Sequence, residues 1–341
     1  MVNQSQLKMP AEWQEHACTW MAFPTYAYEL SASQSLPLEP AQQAWARVAN
    51  AISEFEPVRM LVDPSQQQAA KKLFSSAIAI YEVSLDDAWL RDNGPTFVST
   101  QEGQLAAVDW IFNGWGKQPT ASWDADALVA SFVANQAGAE LIESRLVNEG
   151  GGIHVDVEGS IMLTETVQLG SERNPGWSRG QVEAELTEKL GVERFIWLRR
   201  GLYRDYLRFG TRGHIDMVAC FTPRGGALVH EQRDASHPDF AMNEEWRVAI
   251  ERAGYEVRSL PAPTVLRDSF DFVDYSYINH YVCNDAVIMG GFGDPNDDLA
   301  AGILAEEYPG RQVIRLPAEE IFLRGGGIHC ITQQQPILTS N

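Results

Sequence analysis

The sequence predicts an α/β fold in which five ββαβ units form a ring, that is, a five-bladed α/β propeller. Two observations lead to this prediction. Four segments follow the order strand, strand, helix, strand, and their first strands begin near residues 96, 153, 214 and 277, at gaps of 57, 61 and 63 residues. In addition, the pentapeptide GGGIH occurs twice, at residues 150–154 and 325–329. Units that recur at such a spacing are typical of modules that bury their apolar faces against their neighbours.

The elements of these four units follow from hydrophobic periodicity and turn residues. Apolar and β-branched runs predict the strands, and apolar residues three or four apart predict the helices. One helix has clear ends, because Ser178 is a good N-cap and Gly191 a good terminator. The predicted elements are strands 96–99, 105–110 and 140–143 with helix 123–135; strands 153–157, 160–166 and 194–198 with helix 178–190; strands 214–221, 227–231 and 255–260 with helix 239–253; and strands 277–283, 286–289 and 312–316 with helix 297–307.

A fifth unit is divided between the two ends of the chain. The last predicted strand, 328–333, has no partner after it, whereas the N-terminal region supplies a strand at 18–23, a helix opened by Pro40 and a strand at 58–62. A further helix from Pro64 and a strand at 78–83 lead into the first complete unit. We therefore expect residues 1–341 to form a single catalytic domain of five ββαβ modules, with the ring closed by the N- and C-terminal segments. An open βα sheet cut into two domains is the alternative.

Composition limits the classes of partner. The net charge of −20 disfavours nucleic acid and anionic membrane surfaces. The chain has no apolar run near 18 residues and no secretory signal pattern, so neither membrane spanning nor secretion is expected. Its four cysteines are scattered without a CxxC pair, which is too sparse for a disulfide framework or a structural zinc site. We expect a cytoplasmic protein with free thiols, and a homodimer is compatible with the sequence.

The residues that carry chemistry stand at the entrances of the predicted first strands. They are Asp92, Glu149, His214 with Asp216, and Cys330. A ring would bring them together at one end of its central channel, and His214 and Asp216, two apart on a predicted strand, would share one face. A thiol near a histidine can be activated as a thiolate, and paired carboxylates match a planar guanidinium group. The set suggests attack on a guanidinium carbon with loss of ammonia.

Three other functions stay open at this point. The HxD pairs, His154 with Asp156 and His214 with Asp216, are compatible with a metal-dependent hydrolase. A catalytically silent guanidine-binding protein would use the same carboxylates without turnover. A Cys–His amidase or peptidase is a third alternative, although the surplus of carboxylates suits a cationic group better than a neutral amide.

Six blocks of sequence resemble the agmatine deiminase and Porphyromonas-type peptidylarginine deiminase family. The resemblance runs from residue 9 to about residue 335, and its blocks occur in the family's order. They are residues 9–13 (MPAEW) with Trp20 and Met21, residues 89–97, residues 149–156, residues 213–216, residues 292–297 (FGDPND) and residues 328–334 (IHCITQQ). The resemblance implies the pentein fold, with five ββαβ modules around a pseudo-fivefold axis.

The resemblance also implies roles for individual residues. Cys330 matches the nucleophile, His214 the general acid and base, and Glu149 the carboxylate that orients the histidine. Asp92 and Asp216 match the pair that grips the guanidinium group. The implied reaction is hydrolytic deimination through a covalent thiouronium intermediate on Cys330, most simply of agmatine to N-carbamoylputrescine and ammonia in putrescine biosynthesis, without metal or organic cofactor. Another guanidino compound or peptidyl-arginine is the alternative substrate.

Two departures from the family pattern bear on the substrate. Agmatine deiminases usually read GGGNIHC, whereas Gly327 stands here at the asparagine position. They also tend to carry an acidic stretch and TNGH before the catalytic histidine, whereas this chain has Arg212 in that segment. An inward-pointing Arg212 would repel the amine of agmatine and attract a carboxylate; an outward-pointing one would do neither.

The sequence also suggests roles for four residues near the site. Trp89 and Arg91 are candidates for lining the substrate pocket, next to Asp92. His154 is expected to be structural, and so is His329, because a neighbour of Cys330 on a strand would face the other way.

Overall fold

Five sheets share one internal topology. The computed structural model describes residues 7–31 and 33–338. In every sheet the first strand is antiparallel to the second, and the second is parallel to the third. The first four sheets comprise Thr96–Ser99, Leu105–Ile111 and Glu140–Val147; Ile153–Val155, Ser160–Thr164 and Arg194–Leu198; Ala219–Phe221, Ala227–Glu231 and Val257–Pro261; and Tyr281–Cys283, Ala286–Gly291 and Gln312–Pro317.

The fifth sheet contains strands from both ends of the chain. His16–Ala22 pairs antiparallel with Thr332–Pro336 and parallel with Val58–Val62, and Ala79–Glu82 adds a fourth strand. A separate hairpin joins Tyr28–Ser31 to Gln34–Leu36. The antiparallel pairing anchors the segment that carries Cys330 to the N-terminal part of the chain.

Helices connect the second and third strands of each sheet. In the helix Arg179–Leu190, Ser178 forms a capping box with Gln181, and Gly191 ends the helix at φ 69°. The other helices are Leu38–Ile52, Gln67–Leu73, Val129–Ala137, Asn243–Arg252 and Asp297–Glu307, with short helices at Leu90–Asn93, Gly114–Lys117, Glu165–Gln168 and Glu319–Phe322. No helix within the described ranges is both long and apolar enough to cross a membrane.

Large aromatic side chains fill the interior. Trp20 on the fifth sheet, Trp45 on Leu38–Ile52 and Trp246 on Asn243–Arg252 are fully buried. Each indole removes a large apolar area from water, which fixes the helices against the sheets.

A helical turn precedes the first strand of several sheets and replaces part of the predicted strand. The strand predicted at 214–221 begins only at Ala219, after a 3₁₀ turn at Ile215–Met217, and the strand predicted at 328–333 begins at Thr332, after a turn at His329–Ile331. These strand starts were therefore predicted too early. A third 3₁₀ turn, Gly150–Gly152, precedes Ile153–Val155. The two GGGIH copies thus occupy different positions in their modules. The first copy begins with the turn Gly150–Gly152, whereas the second copy ends at His329, the first residue of the turn His329–Ile331.

Candidate active site

The helical turns meet at one end of the ring and place the predicted site residues in contact. The short helix Leu90–Asn93 carries Asp92, and the turn Ile215–Met217 carries Asp216 directly after His214. The turn His329–Ile331 carries Cys330, which is 2% exposed and borders a cavity. The sequence-distant residues thus form one buried cluster.

The Cys330 thiol lies between a carboxylate and an amide. Its Sγ is 3.4 Å from Asp216 Oδ2, and Asn279 Nδ2 donates a hydrogen bond of 3.2 Å to the sulfur. Burial raises the pKa of Cys330 well above its ordinary value, and the charges of Asp216 and Asp92 raise it further. The resting site therefore favours the neutral thiol, and a bound cation would favour the thiolate.

The His214 ring is held from one side. Its Nε2 lies 3.2 Å from Glu149 Oε2, and the Arg173 guanidinium donates to both oxygens of Glu149 at 2.9 and 3.0 Å. Burial would lower the pKa of His214, but Asp92 and Glu149 raise it to about 9. The imidazolium is therefore the favoured form near neutral pH. In the described part of the chain, its Nδ1 has no hydrogen-bond partner, and this atom lies 3.7 Å from Asp92 Oδ1.

Asp92 is positioned by two donors. Gly151 N donates to Oδ1 at 3.1 Å and the Trp115 indole donates to Oδ2 at 2.8 Å. Burial raises the pKa of Asp92 to about 6, against the opposing effect of His214. Asp92 is thus ionised above about pH 6 and has its carboxylate oriented before a substrate arrives.

Asp216 is tied down through one oxygen. His329 Nδ1 lies 2.8 Å from Oδ2, whereas Oδ1 is buried without a hydrogen-bond partner among residues 7–31 and 33–338. Burial would raise the pKa of Asp216, but the hydrogen bond and charge of His329 lower it below the ordinary value. One carboxylate oxygen is therefore available for a cationic ligand.

Gly151 leaves the space between these groups open. A Cβ at this position would lie 2.5 Å from His214 Nδ1, 2.9 Å from Asp92 Oδ1 and 3.0 Å from Asp216 Oδ2. A side chain here would occupy the point at which the imidazole and both carboxylates converge. The glycine therefore allows a small ligand group to reach all three.

The cavity continues outward from Cys330 along aromatic walls. Trp89 lies in the wall, as expected, and its indole donates to Tyr28 Oη at 2.8 Å. Tyr28 and Tyr26 both donate to the Asp87 carboxylate, which also faces the cavity. The outer part of the cavity thus presents a third carboxylate, framed by two tyrosines.

Two arginines considered from the sequence as possible substrate contacts, Arg91 and Arg212, do not line this cavity. Arg91 is 1% exposed and donates to Glu12 Oε1 at 3.2 Å and to the His329 carbonyl at 3.3 Å. Arg212, at φ 70°, borders a separate surface depression with Glu165 and Tyr206. Neither guanidinium group is among those lining the cavity at Cys330.

The two HxD pairs do not form one group. His154 Nε2 lies 3.6 Å from Glu12 Oε2, and Asp156 accepts hydrogen bonds from Tyr255 and from the backbone of its own hairpin. The pair of His154 and Asp156 therefore does not join His214 and Asp216 around one ligand position.

Sequence reasoning missed several contributors to the site. Asn279 contacts the Cys330 sulfur, and its Oδ1 accepts from His329 N at 3.0 Å. A Cβ on Gly327 would overlap Asn279 Oδ1 and the ring of Phe322, so this departure from the family pattern makes room for Asn279. Glu12, in the MPAEW block, was quoted only for the resemblance. The MPAEW block could have drawn attention to Glu12 as a site residue, whereas no motif in the sequence pointed to Asn279.

Fold and site define a pentein, that is, a ring of ββαβ modules around a polar catalytic centre, as the sequence predicted. Residues 8–336 match the family described as Porphyromonas-type peptidyl-arginine deiminase. The chain belongs to this family.

Known proteins resemble the chain over nearly its whole length. A Streptomyces coelicolor protein, provisionally named an agmatine deiminase, is 52% identical over 96% of this chain and 98% of that protein. The agmatine deiminase of Stutzerimonas stutzeri is 38% identical over 96% of this chain and 95% of its own. The solved structure of Enterococcus faecalis agmatine deiminase superposes with a TM-score of 0.89 at 30% identity, covering 98% of this chain and 97% of that one.

Proposed function

We propose that the chain hydrolyses the guanidinium group of agmatine, giving N-carbamoylputrescine and ammonia, in a single catalytic domain of residues 1–341. The observation that carries the proposal is the convergence of Cys330, His214, Asp92 and Asp216 around the open space at Gly151. The names of the similar proteins support the same reaction. The cytoplasmic location and the homodimer considered from the sequence stay predictions.

In the first half of the reaction, Asp92 and Asp216 hold the guanidinium group. Its positive charge lowers the pKa of the Cys330 thiol, whose proton is released to solvent because His214 is already protonated. The thiolate sulfur forms a bond to the guanidinium carbon. The bond from this carbon to one NH₂ group then breaks while His214 Nδ1 gives its proton to the departing nitrogen. Ammonia leaves, and a thiouronium adduct and a neutral imidazole remain.

In the second half, His214 Nδ1 takes a proton from water, whose oxygen attacks the thiouronium carbon. The C–S bond breaks with its electron pair returning to the sulfur, and the hydroxyl proton is released to solvent, where the ammonia set free in the first half becomes ammonium. The ureido product then dissociates. Glu149, held by Arg173, keeps the ring oriented and stabilises the imidazolium in both steps. His214 and the thiolate are restored.

The charges along the cavity favour agmatine over arginine. Agmatine has a cationic amine where arginine also has a carboxylate, and the outer cavity presents Asp87 with the tyrosine pair. Arg324, which also borders the cavity, donates through Nη1 to Glu320 and through Nη2 to the Pro37 carbonyl. An ammonium group is therefore matched at the outer end, and a carboxylate would face Asp87.

The test is ammonia release from agmatine, free arginine, guanidino acids and peptidyl-arginine. We expect agmatine to have the highest kcat/KM, and Cys330→Ser to abolish release from it while the melting temperature stays close to that of the wild type. Cys18→Ser is the matched control, because Cys18 is equally buried and a serine keeps its hydrogen bond to Gln335. Full activity of Cys330→Ser would exclude the covalent mechanism, and a preference for arginine would exclude the proposed substrate.

A further inference from the structure

One of the two guanidinium-gripping carboxylates is supported by a chain of charged side chains. Asp92 faces His214, which contacts Glu149, which accepts from Arg173. The order is aspartate, histidine, glutamate, arginine, and the catalytic roles of its first members were proposed above.

The other gripping carboxylate is supported by a second chain in the same order. Asp216 Oδ2 lies 2.8 Å from His329 Nδ1, His329 Nε2 lies 2.8 Å from Glu12 Oε1, and Arg91 donates to the same Glu12 oxygen at 3.2 Å. All four residues are at most 4% exposed. We name this second series of contacts, from Asp216 to Arg91, the Glu12 relay. From the sequence, Arg91 was a candidate for lining the substrate pocket and His329 was expected to be structural.

We propose that Glu12 and His329 are positioning residues for deimination, which hold Asp216 with Oδ2 fixed beside Cys330 and Oδ1 free to accept from the guanidinium group. The inference rests on the proposed function, because it assigns Asp216 to substrate binding. Neither residue touches the reacting atoms, and both act through Asp216. The tie to Oδ2 also fixes the oxygen 3.4 Å from Cys330 Sγ, so it positions the nucleophile relative to the grip.

The charges along the relay support a cationic His329. Burial and Arg91 would lower the pKa of His329, but Glu12 and Asp216 raise it above the ordinary value. Burial would likewise raise the pKa of Glu12, whereas His329, Arg91 and His154 lower it well below its ordinary value. The charged and titratable groups around the ring are Asp216, Glu12, Arg91, Cys330 and His280. Removing the imidazolium of His329 would take from Asp216 a hydrogen bond and one of the two cations that lower its pKa, so this pKa would rise.

The chain offers a matched control, since the histidines of the two GGGIH copies both face Glu12. His329 contacts Glu12 and Asp216, whereas His154 contacts Glu12 and the backbone N of Phe221. We compare His329→Gln with His154→Gln by kcat, KM, the pH profile of kcat/KM and melting temperature. We expect His329→Gln to lower kcat/KM for agmatine by about 10- to 100-fold, the value of a hydrogen bond to a charged group, and to move the acid limb to higher pH. We expect His154→Gln to change kcat/KM less than threefold.

A second variant covers the case in which His329→Gln fails to fold. Glu12→Gln keeps an acceptor for His329 and removes the charge that raises the pKa of His329. We expect the same upward shift of the acid limb and a smaller loss of kcat/KM. The proposal is overturned if the folded His329 or Glu12 variant keeps the kcat/KM and acid limb of His154→Gln.

A binding measurement separates this inference from the proposed function. Calorimetry with guanidinium chloride at low millimolar concentration, with Cys330→Ser added to each protein compared, reports the grip of Asp216 without turnover. We expect weaker binding in His329→Gln than in His154→Gln, and equal binding would contradict the relay. If the wild type releases ammonia from none of the guanidino compounds, the proposed function is overturned. The binding comparison would still decide whether His329 positions Asp216.

Discussion

Gly151→Ala is expected to inactivate the site without unfolding the chain. The added Cβ would lie 2.5 Å from His214 Nδ1, whereas ordinary contact begins at 3.4 Å, so the ring must retreat by about 0.9 Å. A misplacement of about 1 Å in a catalytic group can cost about 100-fold in rate, which corresponds to about 2.7 kcal/mol. The methyl group also fills space that we assign to the guanidinium group. We therefore expect kcat/KM for agmatine to fall at least 100-fold.

The assay is ammonia release together with thermal unfolding. Gly302→Ala is the control, because a Cβ at Gly302, inside the helix Asp297–Glu307, meets nothing within 4 Å. We expect Gly302→Ala to keep its activity and melting temperature. Gly151→Ala should stay folded but melt at a lower temperature, because overpacking a buried site costs about 1 to 3 kcal/mol. A Gly151→Ala enzyme with kcat/KM within threefold of the wild type would refute the placement of the guanidinium group.

Two further predictions follow from the charges in the cavity. The kcat/KM of the wild type should rise with pH up to about 9, because the thiol of the free enzyme must lose its proton, and should rise more steeply below about 6, where Asp92 also ionises. Above about 9 it should level off, as His214 loses the proton that it gives to ammonia, and a single slope from pH 5 to 8 would contradict the grip by Asp92. Asp87→Asn should raise KM for agmatine about tenfold but leave KM for butylguanidine, which lacks the amine, unchanged. Arg212→Ala is the control and should change neither KM value. An equal rise of both KM values in Asp87→Asn would argue against an amine site at Asp87.

Local signals in the sequence were sufficient for most of the fold. The strands Thr96–Ser99, Arg194–Leu198 and Ala227–Glu231 and the helix Asp297–Glu307 agree with the predicted bounds. Apolar runs ended by clear turn residues define such elements. Strand starts next to the cavity were predicted too early, because apolar residues such as Ile215 continue the strand pattern into a turn that tertiary contacts impose.

The identities of the central site residues were predictable mainly through the resemblance, and their partners were not. His329 was expected to face away from the surroundings of Cys330, because neighbours on a strand point to opposite faces. On a 3₁₀ turn they differ by about 120°, so both can reach Asp216. Glu12 meets His329 across 317 residues, a separation at which no local pattern operates.

The turns explain why a glycine belongs at the centre of the site. Asp216, Cys330 and Gly151 are the middle residues of three 3₁₀ turns, each of which lies just before the first strand of its sheet. Equivalent positions thus contribute a carboxylate, a thiol and a vacant space, whereas the matching letters of the two GGGIH copies are not equivalent. The scaffold repeats while the chemistry of the central residue changes from turn to turn. Because a side chain on the middle residue of the turn Gly150–Gly152 would fill the space that we assign to the guanidinium group, we infer that this turn belongs to the binding site.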